Sequence, residues 1–208
     1  MTDELIRLDK ELFLFLNGLH TPALDTVMYY MSKTFVWIPF YAALLYLIFK
    51  NYRVQSWKVV IGIILAVTLA DQFTSTLMKP WFARLRPSHN PEFEGVIHLV
   101  NGYAGGQYGF ASSHASDTFA VAMFFFMLFR HTYKGIAAIF AWAALVTYTR
   151  IYLGVHYPAD ILTGALIGIL TGYIGYRTVS VGLLSPPLEG GPVIPSTRED
   201  QGGKKPVL

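Results

Sequence analysis

Between two long apolar runs, residues 149–160 read Thr-Arg-Ile-Tyr-Leu-Gly-Val-His-Tyr-Pro-Ala-Asp, which sets Arg150, His156 and Asp160 close together. Ionisable groups at the edge of an apolar segment are costly to keep there, so they pair with one another or serve a site. Pro158 suits the first turn of a helix, where its missing N–H has no partner to lose. His156 is therefore expected just before a helix and Asp160 inside its first turn, a spacing that can fix an imidazole tautomer beside an anion-binding helix end. A second group of chemically able residues precedes another apolar run: Lys79, Arg84 and Arg86, then Ser112-Ser113-His114. Arginine forks and a lysine ammonium suit a tetrahedral phosphate, and the amides of Ser112 and Ser113 could add donors at the start of the following helix. Two histidines around a phosphate describe a displacement: one attacks phosphorus, the other protonates the leaving oxygen, and Asp160 orients the attacker.

The elements that must hold these residues are apolar. Of 208 residues 53% are hydrophobic and only 14% charged, with a positive mean hydropathy, a composition outside the soluble globular class. There is no cysteine, which excludes disulfides and thiolate metal sites, and the net charge of +3 is too small for a nucleic-acid footprint. Residues 4–18 put Leu5, Leu8, Leu12, Phe15 and Leu16 at helical spacing among charges, the pattern of an amphipathic helix at the membrane surface. Residues 23–32 predict a second short helix. Apolar spans are expected over 34–49, 57–78, 115–129, 135–148 and 158–176. Thr68, Asp71, Gln72 and Ser75 share one face of the second span, which should point into a bundle or a wet cavity. Gly164, Gly168 and Gly172 stand four apart on the fifth, the small-residue pattern of close helix packing. The expected fold is an all-α membrane bundle of five spans, with N-terminal interfacial or re-entrant helices that bring the count to six if one spans. Residues 1–182 would form this domain and 183–208, rich in Pro, Gly and charge, a disordered tail.

The order of the spans brings the Lys79–His114 loop and the Arg150–Asp160 loop to one side of the membrane. The opposite side receives Lys50, Arg53, Lys58, Arg130, Lys134 and Arg177 with no acid among them, and is expected to be cytoplasmic.

Lys79, six residues, Arg86-Pro87; Ser112-Ser113-His114; and Arg150, five residues, His156, three residues, Asp160: this pattern resembles the three-part signature of the type 2 phosphatidic acid phosphatase (PAP2) superfamily, which includes vanadium haloperoxidases. The resemblance covers residues 5–178. It implies that His156 is the nucleophile forming a phosphohistidine, Asp160 its partner and His114 the general acid. Lys79, Arg86 and Arg150 would bind the phosphoryl group with backbone help from Ser112 and Ser113, without metal or cofactor. Three positions depart from the family. Its Pro-Ser-Gly-His is here Ala111-Ser112-Ser113-His114, and its Ser-Arg is Thr149-Arg150. A serine in place of glycine restricts the backbone wherever a left-handed conformation is needed, whereas Thr149 keeps the hydroxyl.

The activity so implied is metal-independent hydrolysis of a lipid phosphomonoester or diphosphate, with the lipid phosphate and the bilayer as partners. Undecaprenyl diphosphate leads among substrates, followed by phosphatidylglycerophosphate, phosphatidate and lipid A phosphate. The implied location is a bacterial inner membrane, with the site on the extracytoplasmic side. An anion transporter or channel is the competing class, since cations at a membrane edge also mark ion pathways, but conduction does not explain the His156–Asp160 spacing. Asp117, three residues after His114, could tune that imidazole or bond a neighbouring helix. Arg84 could contact phosphate or headgroup. His89, Glu92, Glu94 and His98 are expected to be solvated loop residues.

Overall fold

The computed structural model describes residues 2–182; the expected tail, 183–208, lies outside the described residues. The protein is helical, with one isolated antiparallel bridge between Leu85 and Tyr108. Helix α1 runs over Thr2–Gly18 and α2 over Pro22–Met31, α2 opening on Thr21, whose side chain accepts from the Leu24 amide. Then come α3, Ile38–Tyr52, and α4, Ser56–Asp71, separated by a turn in which Arg53 takes a positive φ of 44°. α4 passes into a π-helical segment, Gln72–Met78, and a last short turn, α5, Lys79–Phe82. π-helical segments are frequent at functional sites, and this one carries Thr74 and Ser75 beneath Lys79. The remaining helices are α6, Ser113–Phe129, α7, Ala138–Tyr152, and α8, Pro158–Gly182.

α6 sits at the centre. A Cβ on Gly164, Gly168 or Gly172 would run into the Ser112, Ser116 or Ala120 carbonyl respectively, so the glycine stripe of α8 lets its backbone lie directly on α6. The other side of α8 is apolar and outward: Leu162, Leu166 and Leu170 are each at least 60% exposed. A contiguous apolar exterior of this kind is foreign to a water-facing surface. Toward the far end from the loops, Ile48, Val59, Phe124, Phe129, Trp142 and Val179 interlock into the main core. Two helical stretches, Thr34–Phe82 and Pro158–Val181, are long and apolar enough to cross a membrane, and Ser113–Phe129 is a shorter apolar helix. On α1 the face picked out by periodicity is the outward one. Leu5, Leu8, Leu12 and Phe15 are exposed, whereas Phe13 and Asn17 are buried.

Candidate active site

At the N-terminus of α8 the expected order is observed. Pro158 opens the helix, His156 lies just before it, and Asp160 is in its first turn. Asp160 is fully buried and His156 is 1% exposed. One carboxylate oxygen, Oδ2, accepts from the Tyr157 amide at 3.0 Å and faces His156 Nδ1 at 3.2 Å. With Nδ1–H donating to Asp160, the free lone pair lies on Nε2. Burial, and then the charges of Arg86, Arg150 and Lys79, push the His156 imidazole well below its ordinary pKa, so it stays neutral. Gly109 closes over this pair: a Cβ there would come within 2.9 Å of Asp160 Oδ2, so only a hydrogen fits.

Three cations gather around the pair. Arg86 is held by Nε donating to the Tyr108 carbonyl at 3.1 Å, and Arg150 by Nη2 donating to the Tyr103 hydroxyl at 3.1 Å. Lys79 Nζ donates to Ser113 Oγ at 2.7 Å, and that hydroxyl also bonds Ser75 Oγ at 2.7 Å, which in turn donates to Asp71 at 2.8 Å. Asp71 and Ser75, from the polar face of the second expected span, thus support Lys79, whereas Thr68 and Gln72 of that face are exposed and not turned into the bundle. Among the described residues no carboxylate forms an ion pair with Lys79, Arg86 or Arg150. Arg150 is only 2% exposed, and among the described residues its Nε has no hydrogen-bond partner. A buried guanidinium without a counter-charge is costly.

His114, in the first turn of α6, lies within electrostatic reach of Arg150, His156, Arg86 and Lys79. Its ring makes no hydrogen bond to the described residues; only its carbonyl is engaged, accepting from Thr118 at 2.7 Å. Asp117 forms no hydrogen bond with it. Ser112 departs from expectation: its amide donates to the Asp160 carbonyl at 3.1 Å and its hydroxyl caps α6 by accepting from the Ala115 amide at 3.4 Å. Its backbone therefore braces α6 against α8 instead of facing the cations. Ser113 is helical, so the left-handed backbone that would have required glycine is not used, and Thr149 turns its hydroxyl to its own helix, at 2.6 Å from the Val146 carbonyl.

Arg84 is held between two carboxylates and an aromatic ring. Nη1 donates to Asp160 Oδ1 at 2.9 Å, Nη2 donates to Asp9 Oδ2 at 2.6 Å, and the guanidinium lies 4.0 Å over the Tyr157 ring. Asp9, from α1, also accepts from the Ala159 amide at 2.8 Å. This carboxylate was invisible in the sequence, where it read as one charge of an amphipathic helix. Asn17 was missed too. Its amide donates to the carbonyls of His98, Ile151 and Tyr152 and its oxygen accepts from the His98 amide at 2.8 Å, fastening the end of α7 beside Arg150. Of the loop residues, His89, Glu92 and Glu94 are exposed as expected, Glu92 pairing with Lys10 at the surface, whereas His98 is half-buried, pairs with Asp25 at 2.9 Å and stacks on His20 at 3.8 Å.

With this geometry in place, comparison with known proteins becomes informative. A sequence model described as the PAP2 superfamily matches residues 57–181. The chain belongs to the PAP2 superfamily, as a membrane lipid phosphatase that hydrolyses phosphoric esters. It is 41% identical over 182 residues to a lipid A 4'-phosphatase of Bacteroides thetaiotaomicron, covering 85% of this chain and 79% of that one. It is 31% identical to an undecaprenyl-diphosphatase of Sulfolobus acidocaldarius, covering 85% and 81%. Among solved structures, Aquifex aeolicus LpxE superposes with a TM-score of 0.62 at 28% identity, covering 82% of this chain and 95% of that one. A PAP2-type phosphatidylglycerolphosphate phosphatase of Bacillus subtilis shares the fold, with a TM-score of 0.65 at 22% identity.

Proposed function

We propose that this protein removes a phosphate monoester from a saccharolipid of the lipid A type, by in-line attack of His156 Nε2 on phosphorus. The observation that carries the reading is the set of three cations without carboxylate partners, gathered around a neutral histidine whose Nδ1 is held by a buried aspartate. Lys79, Arg86 and Arg150 bind the phosphoryl oxygens and neutralise the charge that builds on them. Asp160 holds the imidazole tautomer and stabilises its cationic phosphorylated form. His114 protonates the departing oxygen, then takes a proton from the water that attacks the phosphohistidine, which returns His156 and releases inorganic phosphate. Ser113 holds Lys79 in place, and Ser112 fixes α6 against α8.

The substrate assignment rests on the lipid A 4'-phosphatases, at 41% and 36% identity. Undecaprenyl diphosphate is the second reading, favoured by the relative at 31% identity. The chain crosses the bilayer five times, through α3, α4 with its extension to Phe82, α6, α7 and α8, with residues 1–182 as one domain. α1 lies on the membrane surface with Leu5, Leu8, Leu12 and Phe15 toward lipid. The basic turns face the cytoplasm, which puts the site on the outer side of a bacterial inner membrane. The test uses purified protein in detergent with lipid A, undecaprenyl diphosphate, phosphatidylglycerophosphate and phosphatidate, measuring phosphate release with and without chelator. Lipid A is expected to give the highest kcat/KM, undiminished by chelator. Faster turnover of undecaprenyl diphosphate transfers the assignment to the second reading, and release from no lipid ends it.

A further inference from the structure

Beside His114 lies a cavity of about 350 Å³. Its walls are mostly apolar, including Trp37, Val67, Val121 and Val146, and its lining reaches Thr34, which is exposed. The polar residues of the lining are Ser32, Thr34, Tyr41, His114, Asp117 and Thr118, of which Ser32 and Thr118 donate their hydroxyls to the carbonyls of Tyr29 and His114. Asp117 Oδ1 is buried and has no hydrogen-bond partner, so none of the helices around it supplies the donor that this oxygen requires. A buried acceptor left unpaired costs about 1–3 kcal/mol, and such a group calls for an explanation by something that comes and goes.

We infer that this cavity receives the leaving-group end of the lipid, and that Asp117 recognises a hydroxyl or amide N–H on the alcohol from which phosphate is cleaved. The inference rests on the reading of His114 as the acid, because the leaving oxygen must then lie at the His114 end of the cavity. Asp117 is one turn further along α6, about 4.5 Å at ~1.5 Å per residue. The donor it takes therefore sits a few bonds from the ester oxygen, as on a sugar or glycerol carbon. Trp37, Val67, Val121 and Val146 accommodate hydrocarbon beyond it. A hydroxyl can donate to Asp117 and accept from the Tyr41 phenol at once, a pairing that a polyprenyl chain cannot offer. A site built to pair a hydroxyl discriminates strongly against the analogue that lacks it, because its own polar group stays buried and unpaired.

The discriminating experiment compares 1-acyl lysophosphatidate, whose glycerol hydroxyl neighbours the phosphate ester, with the analogue in which that hydroxyl is hydrogen. Native protein and the variants Asp117→Asn and Asp117→Leu are assayed for kcat/KM on both. The native protein is expected to prefer the hydroxylated lipid by about tenfold or more. Asp117→Leu should bring that ratio close to one, and Asp117→Asn, which keeps an acceptor oxygen, should retain part of it. A native protein without preference overturns the inference, as does an unaltered ratio in both variants. Should Asp117→Leu yield no folded protein, the native ratio and Asp117→Asn decide. Absence of phosphate release by native protein from lipid A and every other lipid of the panel above instead removes the phosphatase assignment on which the inference rests, so the two failures are told apart.

Discussion

At the scale of the residue, His156 is defined by what surrounds it: a buried carboxylate on one nitrogen, and burial together with nearby cations that keep the ring neutral. His156→Ala is expected to lower kcat by more than about a thousandfold with the fold intact by circular dichroism, since a covalent route has no substitute for its nucleophile. The pH behaviour follows from the direction of the shift. A depressed pKa leaves His156 unprotonated on both sides of the ordinary imidazole value of 6.5, so protonation sets in only at lower pH. In histidine-labelled NMR spectra of the free protein, the His156 ring should remain in its neutral form through pH 6.5; a midpoint at or above that value contradicts the electrostatic account. Most of this site was legible from sequence, because Lys79, Arg86, His114, Arg150, His156 and Asp160 combine types and spacings that no structural role demands together. Asp9 was not. It meets Ala159 across 150 residues, and an aspartate among the charges of an amphipathic helix carries no sign of its partner. Ser112 was misjudged because a serine before a helix signals a cap and an anion-binding amide equally well.

The elements translate those residues into geometry. α8 approaches α6 through Gly164, Gly168 and Gly172, and the Ser112 amide to Asp160 carbonyl bond stands at the end of that seam. Gly168→Val puts a branched side chain against the Ser116 carbonyl and is expected to destabilise the protein by about 1–3 kcal/mol, read as a lowered thermal midpoint in detergent. An unchanged midpoint would mean that the helices are not in backbone contact. The glycine stripe announced itself by its period of four; the direction in which α1 faces did not. Its leucines marked an apolar face, but the sequence could not say whether that face met protein or lipid, and it is Phe13 and Asn17 that turn inward. α1 also reaches the reaction centre. Asp9 holds one arm of Arg84 while the other arm holds Asp160, so Asp9→Ala frees Arg84 and uncaps Ala159. A loss of about tenfold in kcat with little change in KM is expected; Asp9→Glu should recover part of it. An undiminished kcat in Asp9→Ala would show that α1 is not coupled to Asp160.

The whole molecule is a bundle whose apolar exterior faces outward along α8 and whose buried ionisable residues, Arg86, Arg150, His156 and Asp160, meet at one end. On the proposed reading a lipid keeps its tails in the bilayer while its phosphate reaches buried cations, which accounts for a site of high charge in a chain of low charge content. The central claim is that this end of the bundle transfers a phosphoryl group to His156. It is tested most directly by rapid acid-free quenching of the protein during turnover of a phosphorus-labelled lipid A, followed by peptide mapping. The expected result is an alkali-stable, acid-labile label on the peptide containing His156, absent from His156→Ala, which also releases no phosphate. Label on another residue, or release at the native rate by His156→Ala, would contradict it.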